Sequence, residues 1–291
     1  MKKMRVGALL GAPLVAAPTV IGAVGGAGVA AGAEHRVLDY GLTAEALVMI
    51  PAMNQDWLDL SKELYLVPNG FAPDGTATFL QVPETNDLNA SLAGATGILT
   101  AAIEERWDAG DFSAADPLYV FGYSQASVAA GQAQLQLAAY GIPTDALHFV
   151  LVGDSAAEGG FLSGFMDTLL SWFPESWHDG VTAMATQIFT WLQIDDAMGL
   201  TTPSDLYPTD VYSLSSDGFA NWDGGQNFLG MFVDHLAYLG LSPQEIASAQ
   251  LDPDLGSALT QYFMIDGANV DMFQALMNSF VMIMDGLVGL L

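Results

Sequence analysis

Pro117-Leu118-Tyr119-Val120-Phe121-Gly122-Tyr123-Ser124-Gln125-Ala126-Ser127 is the stretch whose reading decides the fold. A short apolar run rich in aromatic residues stops at a glycine, turns through a serine and enters a helical pattern that continues to Tyr140. That layout is a nucleophile elbow, a sharp strand-to-helix turn that lifts a serine hydroxyl clear of its sheet. Bulk two residues before or after the serine would strike the strand or the helix, and Gly122 and Ala126 meet that requirement. A helix-capping serine in an ordinary βα turn would leave the same short pattern. Partners elsewhere in the chain have to decide.

Working outward, apolar runs alternate with helical patterns. Ala46-Leu47-Val48-Met49-Ile50 reads as a buried strand, and Phe79-Leu80-Gln81-Val82 marks another nearby. Helical spacing covers residues 88–107, with Asp87 or Asn86 available as the cap. Gly141 and Pro143 end the elbow helix, and strands follow at residues 148–152 and 210–214. This alternation predicts an α/β fold, a mostly parallel central sheet with helices on both faces. Residues 159–208 interrupt the rhythm with Phe161, Phe165, Trp172, Phe173, Trp177, Phe189 and Trp191, spaced as one or two amphipathic helices. An aromatic insertion at that point reads as a cap over the serine. Residues 270–291 form a further apolar helix, read as core or docking helix because Asp271 and Asp285 interrupt it.

Charge and composition exclude several function classes. The chain has 33 acidic residues, six basic ones and no cysteine, for a formal net charge of −27. Such a surface repels nucleic acid, and no disulfide or thiolate chemistry is open to it. Lys2, Lys3 and Arg5 precede an uncharged run over residues 6–33 ending Ala31-Gly32-Ala33, a secretory leader with cleavage after Ala33. An uncleaved anchor is the alternative, and either way the body would lie outside the cytoplasm, secreted or at the cell envelope. Cleavage would leave Arg36, Lys62 and Arg106 against all 33 acids, a net of about −30. No phosphate-binding loop, dinucleotide fingerprint or metal-ligand spacing is present, so neither cofactor nor metal is expected.

A serine hydroxyl needs a base to take its proton and an acid to orient that base. His35 sits at the cleavage point, His148 begins a strand and His178 lies inside the insertion. His235 lies beyond the last strand read from the pattern and fits the order serine, acid, histidine. For the acid, Asp217 opens the turn after the 210–214 strand, while Asp154 ends the preceding strand, a position some members of the fold use. Asp210 starts a strand, at the wrong edge, and Asp223 sits in a glycine-rich loop. The oxyanion donors should be the Gln125 N–H and one N–H from Ala52, Met53 or Asn54, with Met53 preferred; Pro51 has none to give.

At these residues the chain resembles the PE-PPE domain hydrolases of mycobacteria and related actinobacteria, a branch of cutinase-like α/β-hydrolases. The likeness spans residues 47–273. Gly122-Tyr123-Ser124-Gln125 is similar to the family's elbow, and Phe149-Val150-Leu151-Val152-Gly153-Asp154 with Gly159-Gly160 to its next strand and loop. Asp210-Val211-Tyr212 through Asp217-Gly218-Phe219-Ala220 resembles the acid-bearing segment, and His235 with Tyr238-Leu239-Gly240-Leu241 the histidine segment. Gln261-Tyr262-Phe263-Met264-Ile265 resembles the late strand. The resemblance carries the triad roles onto Ser124, Asp217 and His235. It departs at Pro51-Ala52-Met53, where the family has a Gly-Gly-Thr type loop, at the missing final elbow glycine, and at Ser155-Ala156-Ala157-Glu158.

The resemblance implies an exported serine esterase or lipase that acts on short- to medium-chain acyl esters, with peripheral contact to cell-envelope lipids. Some relatives transfer acyl chains to trehalose or another glycolipid acceptor, which makes an acyltransferase the alternative. The altered oxyanion loop keeps a third reading open, an inactive surface or binding protein on the same fold.

Overall fold

The computed structural model describes residues 44–50, 55–83, 85 and 87–288. The leader and its cleavage point, Asn86, and the 51–54 loop with Met53 lie outside the described residues. Seven strands form one sheet in the order β2-β1-β3-β4-β5-β7-β6. They are β1 (Glu45–Met49), β2 (Thr76–Phe79), β3 (Leu118–Tyr123), β4 (Leu147–Val152), β5 (Thr209–Leu214), β6 (Gln250–Leu251) and β7 (Thr260–Ile265). Every pairing is parallel except β6 with β7. The helices are α1 (Gln55–Ser61), α2 (Leu88–Ala109), α3 (Gln125–Tyr140), α4 (Phe161–Ser171), α5 (His178–Leu192), α6 (Pro243–Ala247) and α7 (Met272–Val288). A sheet so ordered, with a strand–serine–helix elbow at its centre, is the α/β-hydrolase fold.

Both faces of the sheet are covered, which is why the central strands are continuously apolar. Along β3, Tyr119, Phe121 and Tyr123 enter one core while Leu118 and Val120 enter the other. Val150 and Val152 of β4 follow the first face, and Leu147, Phe149 and Leu151 the second. Helices α2 and α3 supply Leu99, Ile103, Ala130, Ala133 and Leu137 to the second core. The segment after α1 supplies Leu64, Tyr65 and Leu66 to the first, with Ala275 of α7.

Local signals act as the sequence suggests at several ends. Asp87 Oδ1 accepts the Ala90 N–H to cap α2, and Gly141 closes α3 at φ 99°. Two expectations need correction. Strand β2 ends at Phe79, so Leu80-Gln81-Val82 lies beyond it; β2 is an edge strand with half-exposed residues, and its Thr-Ala-Thr-Phe sequence lacks a strong apolar signal. His235 is not beyond the last strand, because β6 and β7 both follow it, and β7 completes the parallel sheet beside β5. A two-residue strand and a run beginning Thr-Gln give little periodicity to read.

Candidate active site

Ser124 stands at the carboxyl end of β3 with φ 58° and ψ −125°, an unfavourable conformation for a residue with a Cβ. The turn is held from three sides. Ser124 N–H donates to Val152 O at 2.9 Å, which ties the elbow to β4. A Cβ on Gly122 would lie 2.8 Å from Ala126 O and 2.9 Å from Ser127 Cα, so α3 can leave the strand this steeply only over a glycine. Ser127 Oγ lies 2.7 Å from Gly122 O and 2.8 Å from Val152 O, sharing its proton between them, and accepts the Val152 N–H at 3.1 Å. This fully buried clamp was not singled out from sequence. A serine in the first turn of the elbow helix is the only hint of it.

Ser124 Oγ lies 2.7 Å from His235 Nε2, and His235 Nδ1 lies 2.8 Å from Asp217 Oδ2. A carboxylate only accepts, so Nδ1 carries the ring proton and Nε2 is left to accept the serine proton. Asp217 is completely buried. Its Oδ1 accepts the Phe219 N–H at 2.8 Å, and its Oδ2 also accepts the Tyr238 hydroxyl at 2.8 Å. Three donors therefore converge on one carboxyl, the condition for tolerating a charge away from water.

Tyrosines fix the histidine in turn. Tyr238 Oη accepts the Leu214 N–H at 2.9 Å, so it reads the end of β5 and the carboxylate together. Burial and the neighbouring Asp217 charge push the Tyr238 phenol well above its ordinary value, which keeps it a donor. Tyr123 donates to His235 O at 2.5 Å, and Tyr65 donates to Tyr238 O at 2.8 Å. Phe219 meets the imidazole edge-on at 5.0 Å between ring centroids. Gly153 (φ 63°) passes so close that a Cβ there would lie 3.1 Å from both His235 Cε1 and Tyr238 Cε2. Gly240 lets α7 pack onto this segment, and Asn278 Nδ2 donates to Gly240 O at 3.0 Å.

The other candidates go elsewhere. Asp154 accepts Thr202 Oγ1–H at 2.6 Å and Ala156 N–H at 2.9 Å, pinning the return of the insertion to the end of β4. Full burial pushes its carboxyl up to about 6. Asp210 pairs with His148 at 2.6 Å near the start of β5, away from the serine, as its strand position implies. Gln125 opens α3, so its N–H has no acceptor within the helix and faces the elbow end. Met53, the preferred second donor, lies outside the described residues. No cluster of three or more His, Asp or Glu side chains suited to a metal occurs among the described residues.

Helices α4 and α5 reach the site through rings. Phe161 and Phe165 of α4 contact Trp222 at 5.3 and 5.7 Å, Phe161 meets Phe219 at 5.9 Å, and Phe165 meets Phe189 of α5 at 5.8 Å. Trp222 Nε1 donates to Thr168 Oγ1 at 3.1 Å. An aromatic wall thus runs from α4 and α5 to the imidazole.

With that geometry in place, the sequence profile of the PE-PPE domain matches residues 68–280. The chain belongs to the PE-PPE domain family. It is 28% identical over 247 residues to the uncharacterized PPE family protein PPE28 of Mycobacterium tuberculosis (strain ATCC 25618 / H37Rv), a match covering 78% of this chain and 33% of that protein. The chain thus spans about a third of the length of this PE-PPE relative. Among solved structures it is similar to the rice cell wall degrading esterase LipA of Xanthomonas oryzae, with 12% identity, TM-score 0.39 and coverage of 86% of this chain and 81% of that one. It is also similar to a lipase-esterase related protein of Clostridium acetobutylicum ATCC 824, with 10% identity, TM-score 0.37 and coverage of 84% and 93%.

Proposed function

We propose that this PE-PPE domain is a serine hydrolase of acyl esters, with Ser124 as nucleophile, His235 as general base and acid, and Asp217 as the orienting carboxylate. The observation that carries the reading is the unbroken line from Ser124 Oγ to His235 Nε2 and from Nδ1 to Asp217, at 2.7 and 2.8 Å, beside a strained serine. Ser124 Oγ attacks the ester carbonyl while Nε2 takes its proton. The same proton then goes to the departing alkoxide, which leaves an acyl-serine and an alcohol. Water, deprotonated by the same nitrogen, releases the acid and restores the serine. The Gln125 N–H stabilises the oxyanion in both halves, and Met53 N–H is proposed as its companion.

The aromatic wall supports an acyl chain of moderate length as the group bound beside the serine, under the α4–α5 insertion acting as a cap. The same wall would also exclude water, which supports a second reading: transfer of the acyl group to a sugar hydroxyl such as that of trehalose. Export with cleavage after Ala33 belongs to the proposal, and N-terminal sequencing of protein recovered from the medium tests it.

Replacing Ser124 with Ala and assaying p-nitrophenyl butyrate tests the catalytic assignment. A loss of about a thousandfold or more is expected, since the triad acts as a unit. Turnover equal to that of the unsubstituted chain overturns it. A new glycolipid formed from acyl donor and trehalose in water distinguishes the transferase reading.

A further inference from the structure

After Arg106 the chain contains no lysine or arginine. Apart from histidines, the triad, α4, α5, the histidine segment and α7 therefore offer a ligand only acidic and uncharged groups. On either side of His235 this surface changes character. Phe228, Leu229, Phe232, Val233 and Leu236 are all exposed, from 44% at Val233 to 78% at Leu229. The segment that presents them is tied down. Asn221 N–H donates to Asp217 O at 2.8 Å, Asn227 Nδ2 to Asn221 O at 2.5 Å, and His235 N–H to Gly230 O at 3.0 Å. Gly230 is pressed against the Ser216 carbonyl, where any Cβ would collide.

Rings connect this apolar face to the reacting group. Phe228 contacts Phe232 at 5.3 Å, Phe232 contacts Phe219 at 6.2 Å, and Phe219 contacts His235 at 5.0 Å. An exposed apolar patch of this kind marks an interaction surface. Whatever covers it lies directly beside the imidazole. A protein partner seated there would obstruct the catalytic histidine, whereas a substrate phase would deliver its molecules to it. Charge narrows the phase further, since Asp223 and Asp234 are the charged groups of residues 219–236, with no cation to hold an anionic headgroup.

We infer that residues 228–236 dock the protein on an uncharged lipid surface, and that the site draws net-neutral acyl esters from it rather than phosphate-bearing acyl donors. The acyl-ester part rests on the hydrolase reading; the docking part does not. It has a further consequence. A carboxylate released by hydrolysis finds no lysine or arginine among residues 107–288, which build the described surroundings of the triad, and is expelled toward water rather than retained.

The test uses the Ser124→Ala chain, so that binding is measured without turnover. It is sedimented with vesicles of pure phosphatidylcholine and with vesicles holding equimolar phosphatidylglycerol. Binding to the uncharged vesicles and weaker binding to the anionic ones are expected. Adding Leu229→Gln and Val233→Gln should weaken binding about tenfold or more, the loss that two partly inserted aliphatic side chains imply. Leu229→Gln alone, at the most exposed of the five positions, should give a smaller loss in the same direction and guards against a folding defect in the double variant. No binding to uncharged vesicles, binding strengthened by phosphatidylglycerol, binding indifferent to both variants, or a dimer dissolved by Leu229→Gln would each overturn the inference. The p-nitrophenyl butyrate assay judges the hydrolase reading separately.

Discussion

Tyr238→Phe removes one oxygen and tests how Asp217, the acid of the proposed triad, is held. The Tyr238 hydroxyl donates to Asp217 Oδ2 at 2.8 Å and accepts the Leu214 N–H at 2.9 Å, in a fully buried setting. Losing a hydrogen bond to a buried charge costs about 1.5–3 kcal/mol, and the orphaned Leu214 N–H costs a further ~1–3 kcal/mol. These two terms overlap in part, so unfolding free energy should fall by about 3 kcal/mol in a urea titration. Asp217 keeps the Phe219 N–H and the imidazole, so the triad stays assembled but is less firmly aimed. A loss of about 1.4–2.7 kcal/mol of transition-state stabilisation corresponds to about ten- to a hundredfold in kcat/KM. Tyr65→Phe is the control, since that phenol is equally buried but donates to the Tyr238 carbonyl, one step further from the carboxylate. It should lower stability by about 1 kcal/mol while kcat/KM stays within roughly threefold. Equal kinetic losses in the two variants, or none in Tyr238→Phe, would refute the assignment of Tyr238 as a positioning residue.

Gly153→Ala places a methyl 3.1 Å from His235 Cε1 and Tyr238 Cε2 and forces alanine to φ 63°. Thermal and kinetic measurements should show about 2–4 kcal/mol of destabilisation and more than about a tenfold loss of kcat/KM. Wild-type kinetics would mean the imidazole is not confined there. Asp154 tests the buried acid outside the triad. Its folded carboxyl is pushed up to about 6, above the ordinary carboxylate value, so the neutral form favours folding. That contribution is complete at low pH and is lost as pH rises from about 4 through about 6, about 3 kcal/mol in all. Unfolding free energy of Asp154→Asn measured across this range should lack that decline, and parallel pH profiles for the two proteins would contradict the assignment.

Much of the site was legible because its signals are local. The elbow needs a glycine two residues before the serine, and a Cβ on Gly122 would lie under 3 Å from α3 backbone atoms. Asp217 follows three residues after the end of β5, where a turn naturally presents it. The choice among acids rests on strand position; in the structure Asp217 meets His235, while Asp154 and Asp210 bond to Thr202 and His148. The second layer could not be read. Tyr65, Tyr123 and Tyr238 lie far apart in sequence, and nothing in periodicity tells a tyrosine that aims a carboxylate from one that fills a core. Strand β7 is placed only by resemblance, because Thr260 and Gln261 open it and leave just four apolar residues to read. Strand β2 was displaced because a half-exposed edge strand carries no clean alternation.

Fluorophosphonate labelling followed by peptide mapping tests the central assignment most directly, because the reagent needs an activated serine and an oxyanion site but no particular substrate. The geometry around Ser124 predicts a single adduct at that residue in the folded chain, absent from Ser124→Ala and slowed by about three orders of magnitude in His235→Ala. A folded protein that takes no label, or takes it on another serine, or labels as fast without His235, would contradict the account.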